Sequence, residues 1–367
     1  MSEFKLTTVE EFEAATARLL ETGAKVGADS WQMRVKNQTP HCKFGEQGVC
    51  CRICSMGPCR ITPKAPRGIC GCDVHGIVGR NFLRFTAGGA ATHSDHGREI
   101  CITLGHAKEG GDYQVKDPEK LIRIAKEWGV ETEGKDIYDL AHEMSDLAQE
   151  EYGKIRGYSR WLKRAPQHTQ DLWHAAGIEP RAIDREVSCA LHMTHMGNTS
   201  KPEALIRQAL RNGLSDGWGG SMCGTEFSDV LFGTPKPIDT EANLGVMNAE
   251  NVNIVVHGHD PSLSEMICEY ADSKEMIDYA KSMGAKGITV SGVCCTSNEV
   301  AMRRGIPMAG NFLQQENVVL TGACEAIVVD VQCIFPALGP LSKCFHTKFI
   351  TTSPICQMPD SDFIEFD

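Results

Sequence analysis

Seven of the seventeen cysteines crowd the run HCKFGEQGVCCRICSMGPCRITPKAPRGICGC, as Cys42, Cys50, Cys51, Cys54, Cys59, Cys70 and Cys72. Zinc sites usually pair two separated CxxC or HxxxH units, whereas this run has a single CxxC inside an irregular ladder, which suits iron–sulfur ligation better. A cubane cluster takes four thiolates. Cys51, Cys54, Cys59 and Cys70 supply one set, and Gly57, Pro58 and Gly68 allow the loop to wrap. Cys50 and Cys51 are neighbours whose side chains should diverge, so they are expected to serve different clusters. Cys42 and Cys50 then remain as a pair, and a two-fold axis would add the same pair from a second copy. The spacing therefore predicts a homodimer bridged by a shared 4Fe–4S cluster, with one further 4Fe–4S cluster per subunit. Cys72 reads as a spectator.

A second constellation sits past residue 250. Three strand-like runs lead into His257-Gly258-His259, into Cys294-Cys295 and into Cys333. A lone histidine or cysteine in a sheet is more often structural. Here each candidate lies just past the carboxyl end of a strand, where ligand sites collect in doubly wound sheets, and the joint placement points to metal. Thr296-Ser297-Asn298-Glu299 reads as a helix start whose free N–H groups would favour a Cys295 thiolate. Cys189, Cys223, Cys268, Cys324, Cys344 and Cys356 show no such pattern and read as structural. In THSDHGRE, His93 and His96 fall on one side of a helical turn and could relay protons, the alternative being a surface pair bonded to Asp95.

The elements that must hold these residues change character along the chain. Thr7 and Glu10 form a capping box, and Val9, Phe12, Thr16 and Leu19 recur at helical spacing. Helical signals dominate residues 75 to 250, including a segment opened by Pro202 and closed at Asn212-Gly213. The charged stretch at 107–136 reads as a solvated face. From Asn251 on, β-branched runs at 253–256, 287–292, 325–331 and 349–353 alternate with helical stretches, which predicts a parallel sheet. The terminal DFIEFD reads as one more strand. The expected architecture is an α-helical domain over 1–245 followed by a Rossmann-like α/β doubly wound domain over 246–367.

Bulk composition narrows the function classes. The formal net charge of -11 opposes binding to nucleic acid or anionic lipid. The acidic start lacks the basic flank and apolar run of a signal peptide, and no stretch approaches the roughly 20 apolar residues of a membrane span. A cytoplasmic protein with reduced thiols is expected, for which metal ligation outranks disulfides.

The runs CCRICSMGPCRI, HSDHGRE, GWGGSMCGTEFSDVLFGTP, VHGHDPSLSE, GVCCTSNEV and VDVQC together resemble the anaerobic nickel carbon monoxide dehydrogenases over essentially the whole chain. The resemblance implies reversible oxidation of CO with water to CO2, two protons and two electrons. It assigns Cys42 and Cys50 to the shared cluster and Cys51, Cys54, Cys59 and Cys70 to a relay cluster. It assigns His259, Cys295 and Cys333 to a nickel–iron–sulfur active cluster, in preference to His257 and Cys294. His93 matches the family's acid/base and His96 the start of its proton path, although Glu99 and Ile102 depart from the histidine row that often follows. The family also draws three more cysteines and a lysine from a third domain beyond residue 367. A ferredoxin-like carrier is the implied electron partner, with Lys64, Arg67 and Arg80 as positive charge for docking, and some members pair with an acetyl-CoA synthase. Two other readings are the related hybrid-cluster protein, which reduces hydroxylamine-like substrates, and a non-catalytic electron-relay dimer.

Overall fold

The computed structural model describes residues 9–196 and 198–366, so Thr7 of the expected capping box lies outside the described residues. The chain divides into two compact units, one of residues 40–234 and one combining 1–39 with 235–367. The N-terminal helices belong with the sheet, so no single point near residue 245 separates the two. The helix Val9–Lys25 packs on the helix Gln315–Leu320, and Leu19 and Leu20 join the core of the sheet unit. The next helix, Trp31–Asn37, is tied down by the buried carboxylate of Glu316, which accepts from Trp31 N–H at 2.6 Å and pairs with Arg34.

The unit of residues 40–234 begins with a two-strand antiparallel ribbon, β1 Cys50–Cys51 and β2 Cys59–Arg60. Its centre is one 32-residue helix, Val74–Gly105, capped by Asp73, whose side chain accepts from Gly76 N–H at 2.9 Å. Four helices pack around it: Ile137–Gly153, Ile183–Thr194, Pro202–Ser215 and Met222–Phe232. Small residues set how closely they approach. A Cβ on Gly97 would fall 2.9 Å from Gly220 O and nearer still to Tyr152 Oη. Ile100, Leu104, Leu121, Leu140, Met144, Trp161 and Phe227 fill the core, each contributing about 1.5–3 kcal/mol by burial. The expected stop at Asn212-Gly213 does not occur: the helix runs to Ser215, continues as a π-helical segment Asp216–Ser221, and resumes as Met222–Phe232. Nor is the charged stretch wholly solvated. Lys120, in the helix Pro118–Trp128, is buried and pairs with Asp229 at 2.5 Å and Glu226 at 3.4 Å.

The other unit holds β3 Val252–Gly258, β4 Ile288–Val293, β5 Met308–Gly310, β6 Ala326–Val329, β7 Lys348–Thr351 and β8 Asp362–Phe363. They form one parallel sheet in the order β5-β4-β3-β6-β7-β8. Val255, Val293, Ile327, Val329 and Phe349 belong to one core, and Val256, Cys268 and Val300 to another. Because side chains alternate along a strand, β3 needs apolar residues at both Val255 and Val256 to bury both of its faces. The chain is thus a helical unit and a doubly wound α/β unit, as the sequence predicts. Among the described residues, no helix is long and apolar enough to cross a membrane.

Candidate functional site

The cysteine cassette folds around a single recess lined by Cys51, Cys54, Cys59 and Cys70, with Cys72 and Arg80 also on its wall. The β1–β2 ribbon sets Cys51 opposite Cys59. The turn between the strands is tight at Gly57, where a Cβ would meet Cys51 O at 3.2 Å and Cys59 N at 3.3 Å. Successive strand residues face opposite sides, which is why Cys51 lines the recess and Cys50 does not. Cys42 is exposed, just before the short helix Lys43–Glu46, and Cys50 is half-buried.

Donors in the recess favour anionic sulfur. The Ile69 N–H points at Cys59 Sγ at 3.4 Å. The Cys70 thiol is held below its ordinary range, chiefly by a backbone N–H from Cys72 and, against the cost of burial, by Arg80. Burial pushes the Cys72 thiol up, which fits a spectator. Four soft donors around one recess, aided by N–H groups, match a 4Fe–4S cluster. Lys64 and Arg67 are exposed, but Arg80 is buried and cannot dock a carrier. Its guanidinium is engaged inside the unit instead, with Thr199 O and Cys70 Sγ.

Further along the same helix, His93 Nδ1 lies 2.7 Å from Asp216 Oδ1. That hydrogen bond raises the His93 pKa, opposed by burial. Asp216 opens the π-helical segment, a kind of irregularity frequent at functional sites. The segment comes close to the histidine turn because a Cβ on Gly220 would lie 3.3 Å from the His93 carbonyl carbon. Asp95 is engaged elsewhere, pairing with Arg98 at 3.1 Å, which in turn reaches Asp184 at 2.7 Å. His96 stands on the same face beside Gly224, where a Cβ would be 3.8 Å from its Nε2.

In the sheet unit, β3, β4 and β6 end in step. His257 is level with Val293 on one side and Val329 on the other, and Gly258 bridges to Cys294. The three expected strand ends therefore share one edge. Cys295 and Cys333 are exposed there and His259 is buried. Cys294, Cys295 and Cys333 are close enough to perturb one another, and burial pushes the Cys294 thiol to about 12. Although the two residues are exposed overall, partial desolvation of their sulfurs also raises Cys295 and Cys333. The expected thiolate preference of the helix start is thus outweighed by desolvation, and a cation's charge would be needed to reverse it. Cys294, Gln332 and Cys333 have φ of 68°, 71° and 60°, left-handed backbone that L-residues adopt at a cost and that gathers at functional sites.

His257 is committed to the core. Its Nε2 lies 3.1 Å from Gln315 Oε1, and burial lowers its pKa to about 4, so it is neutral at pH 7. The donor set at this edge, thiols and imidazole, suits nickel and iron. Among the described residues, no group of three or more His, Cys, Asp or Glu is already drawn together as a metal site.

A sequence model of the Prismane/CO dehydrogenase family matches residues 49–367. The chain belongs to the Prismane/CO dehydrogenase family. It is 48% identical over 359 residues to carbon monoxide dehydrogenase 1 of Methanosarcina mazei, covering 96% of this chain and 57% of that protein. Carbon monoxide dehydrogenase 1 of Carboxydothermus hydrogenoformans is 44% identical over 363 residues, with coverage of 96% and 57%. The nickel-free carbon monoxide dehydrogenase of Thermococcus sp. AM4 superposes with a TM-score of 0.92 at 48% identity, covering 96% of this chain and 56% of that one. An acetyl-CoA synthase/carbon monoxide dehydrogenase structure gives 0.91 at 39% identity, with coverage of 96% and 53%. The chain thus spans somewhat over half the length of these relatives.

Three residues of this Prismane/CO dehydrogenase family chain make contacts at these sites that the sequence reading did not assign to them. Asp216 orients His93, and its only signal is the glycine-rich stretch that follows. Asp330 is fully buried and accepts from His259 N–H at 2.6 Å and from Val331 N–H, fixing both strand ends. Gln315 links His257 to the Cys333 carbonyl, donating to the latter at 3.0 Å. Neither Asp330 nor Gln315 carries a spacing signal of its own.

Proposed function

We propose that this chain carries the electron relay and part of the active metal centre of a carbon monoxide dehydrogenase, which oxidises CO with water to CO2, two protons and two electrons, reversibly. The observation that carries the reading is the level ending of β3, β4 and β6, which puts His259, Cys295 and Cys333 on one sheet edge. Cys51, Cys54, Cys59 and Cys70 would hold a 4Fe–4S relay cluster, and His259, Cys295 and Cys333 would supply part of a nickel–iron–sulfur centre. When bound, that centre supplies Lewis acidity and a place for electrons. His93 moves protons through Nε2 while Asp216 holds Nδ1–H, fixing the tautomer and stabilising the imidazolium. His96, one turn on, extends that path.

Cys42 and Cys50 would share a second 4Fe–4S cluster with the same pair of another copy. Val78, Phe82 and Phe85 support the homodimer: they recur at i, i+4 and i+7 on the long helix and are all exposed. Asn81 ties this stretch to the cassette by donating to Gly48 O and Cys50 O, both at 2.9 Å. Exposed Lys64 and Arg67 suit an acidic carrier such as ferredoxin. The likeness to an enzyme joined to acetyl-CoA synthase makes that synthase a further partner to seek by co-purification. The cytoplasm is the compartment proposed, since seventeen cysteines that serve as metal ligands or structural thiols need a reducing environment. The named relatives and the adjacent Cys50-Cys51 pair favour this reading over a hybrid-cluster protein.

The test is anaerobic purification with nickel and iron analysis and CO-dependent reduction of a viologen. Nickel with turnover supports the enzyme. About six irons per chain, four plus half of a shared four, without nickel or turnover would make it an electron-relay dimer instead.

A further inference from the structure

Arg80 does not belong to the surface charge of the cassette. It is 3% exposed, its Nε–H donates to Thr199 O at 2.9 Å, and its Nη1 reaches Cys70 Sγ at 3.9 Å. Among the described residues no carboxylate pairs with it. A buried guanidinium without a carboxylate is unfavourable unless another anion offsets it, and it shares the wall of the recess with Cys51, Cys54, Cys59 and Cys70, whose sulfurs become anionic as cluster ligands. Lys64 and Arg67 are in water, where screening weakens their hold on the recess. Arg80 acts through low-dielectric surroundings, where charges interact far more strongly.

We propose that Arg80 is a positioning residue that sets the reduction potential of the relay cluster: its buried positive charge beside Cys70 favours the reduced state. This rests on the reading of Cys51, Cys54, Cys59 and Cys70 as the ligands of a 4Fe–4S cluster. One-electron reduction adds a negative charge to a site that is already anionic, and charge and hydrogen bonds at the sulfurs are what the protein can adjust. The Thr199 bond keeps the guanidinium aimed inward. Arg80 thus lets the relay accept an electron from CO oxidation more readily and makes it a weaker donor to the next site.

The experiment is a redox titration of the full chain, purified without oxygen, with dithionite as reductant, EPR of each cubane signal as readout and iron analysis alongside. Arg80→Gln removes the charge but keeps a donor for Thr199. It should lower the reduced-to-oxidised ratio of one signal at least tenfold at fixed potential, which is ~59 mV for a one-electron couple. Arg80→Lys keeps the charge and should stay within about threefold of the parent on the same scale. An unchanged potential in Arg80→Gln with full iron overturns the proposal, as do equal shifts in both variants, which would mean packing rather than charge. If Arg80→Gln sheds iron, Arg80→Lys decides: retained iron at near-parent potential supports the proposal, and iron loss overturns it. A separate control, Cys51→Ala, which leaves no donor at that position, tests the cluster reading, since an unaltered signal with full iron would show that the cluster lies elsewhere.

Discussion

Asp216 Oδ1 and His93 Nδ1 meet at 2.7 Å, joining the π-helical segment to the long helix. The carboxylate fixes one imidazole nitrogen and with it the orientation of the ring. Because the bond raises the histidine pKa, its contribution to stability is full below the unfolded-state pKa and disappears as pH rises through the higher folded value. Asp216→Asn should therefore cost about 1 kcal/mol near pH 5 and almost nothing at alkaline pH. Denaturant unfolding across pH checks this, and a gap that widens with rising pH would contradict it.

Of the five cysteines that line the recess, the proposed function makes four of them ligands and leaves Cys72 out. Cys59→Ala should lose about four irons per chain, whereas Cys72→Ala, whose buried thiol is pushed up by burial, should lose none. Iron analysis of the two purified variants makes the comparison, and equal iron in both would end the assignment.

Lys120 lies between Asp229 at 2.5 Å and Glu226 at 3.4 Å, all three largely out of solvent. Lys120→Met should destabilise the helical unit by about 3 kcal/mol, because it removes the cation from a pair of largely buried carboxylates. Adding Asp229→Leu should recover much of that. Chemical denaturation gives both values, and a double variant as weak as the single one would refute the coupling.

The legible parts of this protein were those written in short spacing. The Cys51–Cys70 ladder needed only counting, and β3, β4, β6 and β7 announced themselves through β-branched runs that must bury two faces. β5 spans only Met308–Gly310, too little for a period to register. Gly213 looked like a helix end, yet the chain there is held helical by tertiary packing, which overrides propensity. Lys120 and Arg80 looked like surface charges because burial depends on partners distant in sequence, Asp229 for one and Thr199 for the other. Asp216 was hidden for the same reason, 123 positions from the histidine it orients.

The helix Val74–Gly105 also acts as a ruler. Asn81, which fastens the cassette loop, and His93, the proposed proton carrier, are twelve residues apart on it, a separation of about 18 Å fixed by the 1.5 Å rise. Filling or emptying the recess cannot stretch that interval without breaking helical hydrogen bonds. The proposed electron site and the proposed proton site are thus calibrated by one backbone, and a proline placed between them, at Phe85, would spoil the calibration while leaving every proposed ligand in the sequence.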